Sequence, residues 1–502
     1  MLNEFWQQFK SGTDIRGVAI DGVPGEPLNL TDDVVKRMAQ GFALWLTKKA
    51  GKTPAQLTVS VGRDSRLSGP RLCQAVFQGL TEMGVRVLDC ALASTPAMFM
   101  TTVDLHCDGA IQITASHHPY HRNGLKFFLP TGGVEGSDIT AILELAQADA
   151  FEPADQPGTV EPVDYMTEYA AHLCAMVRAG VEAKDYAHPL AGFHIVVDAG
   201  NGVGGFYAEV LERLGADTSG SLYLEPDGRF PNHIPNPENE QAMACVCEAT
   251  VKAGADFGII FDTDVDRAGC VGADGREINR NRLVALAAAI VLEDQPGGTV
   301  VTDSVTSDGL KQFIEQTLHG KHRRFKRGYK NVINEAIRLN SEGVNAPLAI
   351  ETSGHAALRE NYFLDDGAYL ATKILIKLAQ LRAKGQTPDD LIAALQEPAE
   401  SRELRFGITD PQFREAGARV LTQFEAFAKE SGWRVADDSV EGVRVSFSEK
   451  QGDGWALLRV SVHDPVMPLN VESNRPGGCE EILAQIRPWI EAQPCLRAGK
   501  ES

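Results

Sequence analysis

Residues 193–216, FHIVVDAGNGVGGFYAEVLERLGA, narrow the folds open to this chain more than any other stretch. A strand-like run at 193–197 meets the turn Asp198-Ala199-Gly200-Asn201-Gly202, and Phe206, Val210, Leu211 and Leu214 follow at helical spacing. A change of period from two to 3.6 across a Gly-rich turn is the mark of a βα unit, in which a strand feeds a helix that packs back on the sheet. Two comparable units stand earlier: LTVSVGRDSRLSG followed by PRLCQAVFQGLTEMG (57–84), and the strand DGAIQITAS (108–116). The repeated alternation predicts α/β layers, and recurrence without sequence identity predicts related domains in series, not a solenoid.

At 502 residues the length suggests roughly three or four domains. The stretch FEPADQPGTVEPV (151–163) reads as a linker, a second break follows near Asp274-Gly275, and a third lies around AKGQTPD (383–389). The expected domains are 1–157, 158–274, 275–385 and 386–502. The last differs in pattern, with short strands at 443–448 and 455–462 before a helix near 478–491, and reads as α+β.

Charge excludes several partners. With 68 acidic against 48 basic residues the formal charge is −20, which repels nucleic acid and anionic membranes. The run LVALAAAIVL (283–292) is too short to span a bilayer, and the first residues lack a basic-then-apolar export layout. Nine scattered cysteines without zinc spacing suit reduced thiols, so a cytoplasmic protein with no nucleic-acid or membrane partner is expected. The one dense basic run, KHRRFKRGYK (321–330), reads on charge alone as a solvated face, although Gly328 and Lys330 at its end could let backbone and ammonium approach a phosphate.

Three segments carry chemistry. In IQITASHHPYHRNGLKFF (111–128) a β-branched run ends abruptly at Ser116, His117, His118 and Pro119, which delivers polar side chains onto a turn at a strand end. In FDTDVDR (261–267) three carboxylates, Asp262, Asp264 and Asp266, follow the apolar GADFGIIF. Such crowding is costly unless solvated or neutralised, and an all-oxygen donor set suits Mg²⁺. An EF-hand is excluded, because its glycine position holds Arg267 and its twelfth position Ala273. An aspartyl phosphotransferase with Asp262 as nucleophile is an alternative. In AIETSGHAALRENYFLDDG (349–367), Glu351 and Ser353 beside Gly354 suit paired sugar hydroxyls, although a Ser-capped strand-to-helix turn reads equally well.

Four motifs in one order, SGTDIRG (11–17), TASHHP (114–119), FDTDVDR (261–267) and ETSGH (351–355), resemble the α-D-phosphohexomutase superfamily. The connecting GRDSRLSG (62–69), NGLK (123–126) and DGRFPNHIPNPEN (227–239) are similar too. The resemblance implies three related mixed α/β sheet domains plus a C-terminal α+β domain around a central cleft. It implies interconversion of hexose 1- and 6-phosphates, with mannose or glucose favoured over glucosamine, through a phosphoserine enzyme and a bisphosphorylated sugar. Ser116 would carry the phosphoryl group, and Asp262, Asp264, Asp266 and the serine phosphate would hold Mg²⁺. Arg16, Lys126, His117 and Arg267 would complete the catalytic group, with Lys126 as acid/base. Glu351, Ser353, His355, Lys330 and Arg327 would bind the sugar phosphate. A hexose 1,6-bisphosphate activator and a monomer or homodimer are also implied.

The tail departs from the pattern. WALLRVSVHDPVMPLNVES (455–473) aligns with a phosphate clamp that is usually RPSGTEP: Arg459, Ser461 and Pro465 remain, but Val462, His463 and Asp464 replace Gly, Thr and Glu. Arg459, Ser461 and His463 are the expected phosphate contacts, and a non-catalytic sugar-phosphate-binding homologue is the reading this change favours. His118 likewise replaces an asparagine of the serine loop.

Overall fold

The computed structural model describes residues 1–461, 464–497 and 499–501, the last two by backbone alone. The chain forms two compact units, one of Met1–Leu283 with Ser353–Asp390 and one of Val284–Thr352 with Leu391–Ser502.

In the first unit the strand Thr58–Arg63 lies between Gly109–Ile113 and Arg86–Leu92, parallel to both. Thr58–Arg63 and Gly109–Ile113 are buried on both faces over most of their length, as a doubly covered parallel sheet requires. On one face the helix Asp32–Ala50 sets Phe42 against Phe127, with ring centroids 4.7 Å apart. Thr31 caps this helix, Asp32 and Asp33 fill its first turn and Lys48 and Lys49 its last, in accord with the helix dipole. The parallel order delivers the loops after Arg63 and Ile113 side by side at the carboxyl ends of neighbouring strands, where α/β proteins place ligands.

The unit beginning DGAIQITAS departs from strand–turn–helix. After the serine turn the chain returns as the antiparallel strand Arg122–Leu129, with Lys126 opposite Gln112, and not as a helix. Gly124 lets the returning strand pair closely with the next one, because a Cβ there would come within 2.1 Å of the Ile15 carbonyl.

A second sheet in this unit pairs Ile195–Asp198 in parallel with Phe257–Phe261, and Ala268–Gly272 runs antiparallel beside them. The 198–202 turn packs directly on the acidic loop: Val203 N donates to Thr263 O at 2.8 Å, and a Cβ at Gly202 would approach that oxygen to 2.5 Å. The glycine pattern that announced a βα unit is thus also what lets two loops touch. The hairpin Ala356–Leu358 with Leu364–Asp365 and the helix Gly367–Arg382, capped by Asp366, complete the unit.

The second unit holds three parallel strands, Thr299–Thr302 between Lys321–Arg324 and Leu348–Ile350. It also holds an antiparallel sheet ordered Arg434–Val435, Val443–Phe447, Gly454–Leu458, Val466–Ser473, Glu400–Gly407, Lys500–Glu501. Phe406, Phe424, Trp433, Phe447 and Ile486 fill its core. The expected helix near 478–491 is Gly478–Glu491, whereas Glu400–Gly407 and the helix Phe413–Glu430 had no counterpart in the sequence reading. Among the described residues no helix is long and apolar enough to cross a membrane.

The basic run is not a solvated face. Arg324 is 4 % exposed, and its guanidinium donates to Asp308 Oδ1 at 2.7 Å and Asp438 Oδ2 at 3.2 Å. Arg323 donates to Glu335 Oε1 at 2.9 Å. Strand alternation turns part of the run inward, where carboxylates from other segments neutralise it.

Buried Glu472 makes the stability of this unit depend on pH. Burial pushes its carboxyl up to about 7, against the Arg444 guanidinium and the hydrogen bond donated by Trp455 Nε1 at 2.9 Å. A carboxyl raised in the folded state contributes stability that is complete below its unfolded pKa near 4.5 and is lost as pH rises through about 7. The shift is worth about 3 kcal/mol. The expected result is a urea midpoint, followed by tryptophan fluorescence, that falls between these limits in the wild type and flattens in Glu472→Gln. An unchanged slope in the variant would refute the assignment.

Candidate active site

Both loops at the heart of the first unit are strained. Ser116 has φ +49° and Val265 φ +68°, a left-handed conformation that is rare for any residue with a Cβ and rarer still for a β-branched one. Such strain, of order 1–3 kcal/mol each, persists where the surroundings over-determine the backbone, and it clusters at functional sites. Ser116 N donates to Thr114 Oγ1 at 2.9 Å, and Gly367 N donates to Val265 O at 3.1 Å.

The two strained turns face each other. Ser116 Oγ donates to Asp262 Oδ2 at 3.1 Å and lies 3.3 Å from His117 Nδ1. Lys126 Nζ donates to Asp264 Oδ2 at 3.2 Å and is ion-paired with Asp266. Thr95 grips Asp264 twice, by N to the backbone oxygen at 2.8 Å and by Oγ1 to Oδ2 at 2.5 Å. Arg267 N donates to Asp262 Oδ1 at 3.2 Å, and Arg267 Nε to His355 Nε2 at 2.8 Å. The other nitrogen of His355 meets the Asp365 carboxylate. Arg16 donates to Thr114 O at 3.1 Å and pairs with Asp14 at 2.8 Å.

All three aspartates are fully buried or nearly so, and oxygens of all three lie within 4.8 Å of one another. Burial, then Asp266 and Asp264, push the Asp262 carboxyl well up. Burial opposes the charge of Asp266, but Lys126, His355 and Arg267 together hold its carboxyl down. The Oδ1 atoms of Asp264 and Asp266 have no hydrogen-bond donor among the described residues. Orphaned, buried carboxylate oxygens at this spacing fit a hard divalent cation.

The histidines are set to different tasks. Burial and then Arg267 push His117 well below the usual imidazole range, which leaves a neutral ring beside the serine hydroxyl. Burial and Arg16 push His118 down to about 3. Burial works against the charge of His355, but the adjacent Asp365 outweighs it and the pKa rises.

Thus the first unit brings together Ser116, His117, Lys126, Arg16, Asp262, Asp264, Asp266, Arg267 and His355, from loops far apart in sequence. Ser353 is buried in the same unit. Glu351 belongs to the second unit, where its Oε1 accepts from Gly328 N at 2.6 Å in the loop carrying Arg327 and Lys330. Buried Arg459 also lies in that unit, and burial, countered by Glu441, pulls its guanidinium down. Its Nε has no acceptor among the described residues. Ser461 Oγ accepts from Asp464 N at 3.3 Å, while His463 and Val462 lie outside the described residues.

Sequence reasoning missed Thr95, Asp365 and Arg66. Thr95 carries no local signal, because its partner Asp264 is remote in sequence, whereas Asp365 stood in the quoted 349–367 segment ten residues from His355. Arg66 stood in the quoted GRDSRLSG without a role, and its spacing from Asp64 was the available clue.

Comparison with known proteins shows the family. Residues 8–152, 167–275 and 279–398 match, in turn, the family models for phosphoglucomutase/phosphomannomutase alpha/beta/alpha domains I, II and III. The chain is 30% identical over 480 residues to a phosphoglucomutase of Neisseria gonorrhoeae, covering 95% of this chain and 96% of that protein. It is 30% identical over 463 residues to a phosphomannomutase/phosphoglucomutase of Pseudomonas putida, covering 91% and 93%. A solved phosphoglucomutase/phosphomannomutase family protein from Burkholderia thailandensis superposes with a TM-score of 0.80 at 28% identity, covering 98% of each chain. The chain therefore belongs to the phosphoglucomutase/phosphomannomutase family of the α-D-phosphohexomutases, an α/β protein with phosphohexomutase function.

Proposed function

We propose that this phosphohexomutase interconverts hexose 1-phosphate and hexose 6-phosphate through a phosphoserine at Ser116, with Mg²⁺ at Asp262, Asp264 and Asp266. The observation that carries the reading is the Ser116 hydroxyl hydrogen-bonded at 3.1 Å to an aspartate of a buried triad with orphaned oxygens. A loose phosphoryl transition state spreads charge over three oxygens, so catalysis is chiefly positioning and electrostatic stabilisation. When bound, the ion would neutralise the triad and hold a serine-phosphate oxygen. Arg267, fixed by His355, and Arg16, fixed by Asp14, present guanidinium groups to the transferring phosphoryl. The neutral ring of His117, 3.3 Å from Oγ, can accept the hydroxyl proton, and Lys126 is the candidate acid/base toward the sugar hydroxyl.

In the forward direction the phosphoserine donates to the free hydroxyl of the hexose monophosphate, forming a hexose 1,6-bisphosphate and a free serine. After reorientation, Ser116 Oγ attacks the other phosphate, its P–O bond to the sugar breaks, and the phosphoserine is restored. Hexose 1,6-bisphosphate added from outside recharges enzyme that has lost its phosphoryl group. Glu351, Ser353, His355, Arg327 and Lys330 are assigned to the sugar phosphate, and Arg459 and Ser461 to the phosphate that does not react. The proposed domains are bounded as 1–157, 158–274, 275–385 and 386–502. Nine unpaired thiols support a reducing, cytoplasmic setting.

Phosphorus NMR on glucose, mannose, glucosamine and N-acetylglucosamine 1-phosphates, with Mg²⁺ and a trace of hexose 1,6-bisphosphate, tests the reading. Conversion of the glucose or mannose ester to its 6-phosphate is expected. Silence across the panel would overturn it in favour of a binding-only homologue.

A further inference from the structure

One arginine outside the reacting cluster directs four of its five side-chain hydrogen bonds at the backbone of residues 116–122. Arg66 is fully buried. Its Nη2 donates to Ser116 O at 2.5 Å and His118 O at 2.6 Å, and its Nη1 to Pro119 O at 2.7 Å and Arg122 O at 2.9 Å. The fifth donor, Nε, reaches Asp64 Oδ2 at 3.2 Å. Asp64 itself accepts from Arg66 N at 2.9 Å and from Thr114 Oγ1 at 2.7 Å, and that same hydroxyl accepts from Ser116 N. The neighbouring loop covers this arrangement: Phe230 lies against the guanidinium, 5.2 Å from centroid to Cζ. A Cβ at Gly228 would come within 2.4 Å of Ser65 O and 2.6 Å of Arg66 Cα.

Four backbone carbonyls of one short loop converge on the guanidinium, Pro119 O accepting also from Arg122 N at 3.0 Å, and a buried carbonyl without a partner is costly. A planar five-donor fork is the one side chain that can supply them together, and a lysine, with three donors around a point, cannot span them. We infer that Arg66 is the positioning residue of the phosphoryl carrier, holding the backbone of residues 116–122 so that Ser116 keeps its left-handed conformation and its hydroxyl faces Asp262. The inference rests on Ser116 being the carrier. With its donors directed at Asp64 and the loop carbonyls, Arg66 acts through the backbone of the loop.

Arg66→Lys keeps a charge for Asp64 and loses the fork, so it separates charge from geometry. With wild type, Arg66→Lys and Gly228→Ala, three quantities are measured: kcat, KM for the hexose 1-phosphate, and the rate at which hexose 1,6-bisphosphate phosphorylates Ser116, read by intact mass. Arg66→Lys is expected to lose about 10²-fold in kcat and in the phosphorylation rate, the scale set by misplacing a reacting group by about 1 Å, with KM within about twofold. Gly228→Ala, which leaves Arg66 in place but presses on its backbone, is expected to show the same kcat-only pattern at about tenfold, and it carries the test if Arg66→Lys fails to fold. Wild-type kcat and phosphorylation rate in the folded variants, or a loss confined to KM, would overturn the inference. A wild-type enzyme that turns over with no phosphate on Ser116 would instead refute the carrier assignment on which it rests.

Discussion

Ser116→Ala is expected to fold, bind Mg²⁺ and bind hexose 1-phosphate while losing more than about 10³-fold in turnover, over about 4 kcal/mol of barrier. The serine contributes one hydroxyl to the fold, donated to an aspartate that has other partners. Alanine tolerates the backbone of residue 116 about as well as serine does, because both carry a Cβ. The chemistry has no substitute, since the next two residues, His117 and His118, are low-pKa rings and among the described residues no second hydroxyl bonds to Asp262. In the wild type, label from hexose 1,6-bisphosphate should survive acid and hydroxylamine and map to Ser116. Hydroxylamine-labile label on Asp262, or mutase activity surviving in Ser116→Ala, would transfer the nucleophile to the acidic loop.

The acidic loop supports the second large effect, which needs no activity assay. Three buried carboxylates face the cations Lys126 and Arg267, an excess of negative charge in a dry site. Saturating Mg²⁺ should raise stability by about 2.7 kcal/mol at a hundredfold excess over its dissociation constant. Asp262→Asn should abolish that response and turnover together. It should also melt, without metal, at or above the wild type, because it removes one of three like charges while an amide oxygen can still accept from Arg267 N. Asp266→Asn should abolish the response as well but melt lower, because it strips Lys126 of an ion pair inside the protein; breaking a buried pair typically costs about 3–5 kcal/mol. An Mg²⁺-dependent shift retained in Asp262→Asn would remove the triad as the metal site.

What the chain disclosed in advance was whatever is local. Ser116, the three aspartates and Ser353 sit on short contiguous motifs because a strand end and its turn are built by neighbours in sequence. Their strain was not legible: nothing in DTDVDR announces that Val265 is left-handed, since that follows from Gly367 N reaching its carbonyl from a hundred residues away. Arg66 and Thr95 escaped for the same reason, each defined by a partner on another segment, while Asp365 lies only ten residues from His355 and needed the hairpin to bring the two together. The basic run misled because charge was counted without alternation or remote partners, and Arg324 proved to be buried against Asp308 and Asp438. In the C-terminal sheet, Glu400–Gly407 alternates charged and apolar residues so weakly that only its pairing with Val466–Ser473 reveals it as a strand.

The first unit is discontinuous in sequence, and this sets a schedule for its birth. Its metal loop and serine loop are complete by Leu283, yet the residues that fix them, Gly354, His355, Asp365 and Gly367, belong to the segment Ser353–Asp390. On the ribosome the 107 residues from 284 to 390 must be made first, roughly 5–20 s of synthesis at ordinary rates. During that interval the nascent chain carries three clustered aspartates without His355 to steady Arg267, and a strained Val265 without its donor. The unit can close only after an entire inserted segment has emerged, so translation speed across 284–390 bears directly on how long the phosphoryl-transfer centre stays unmade.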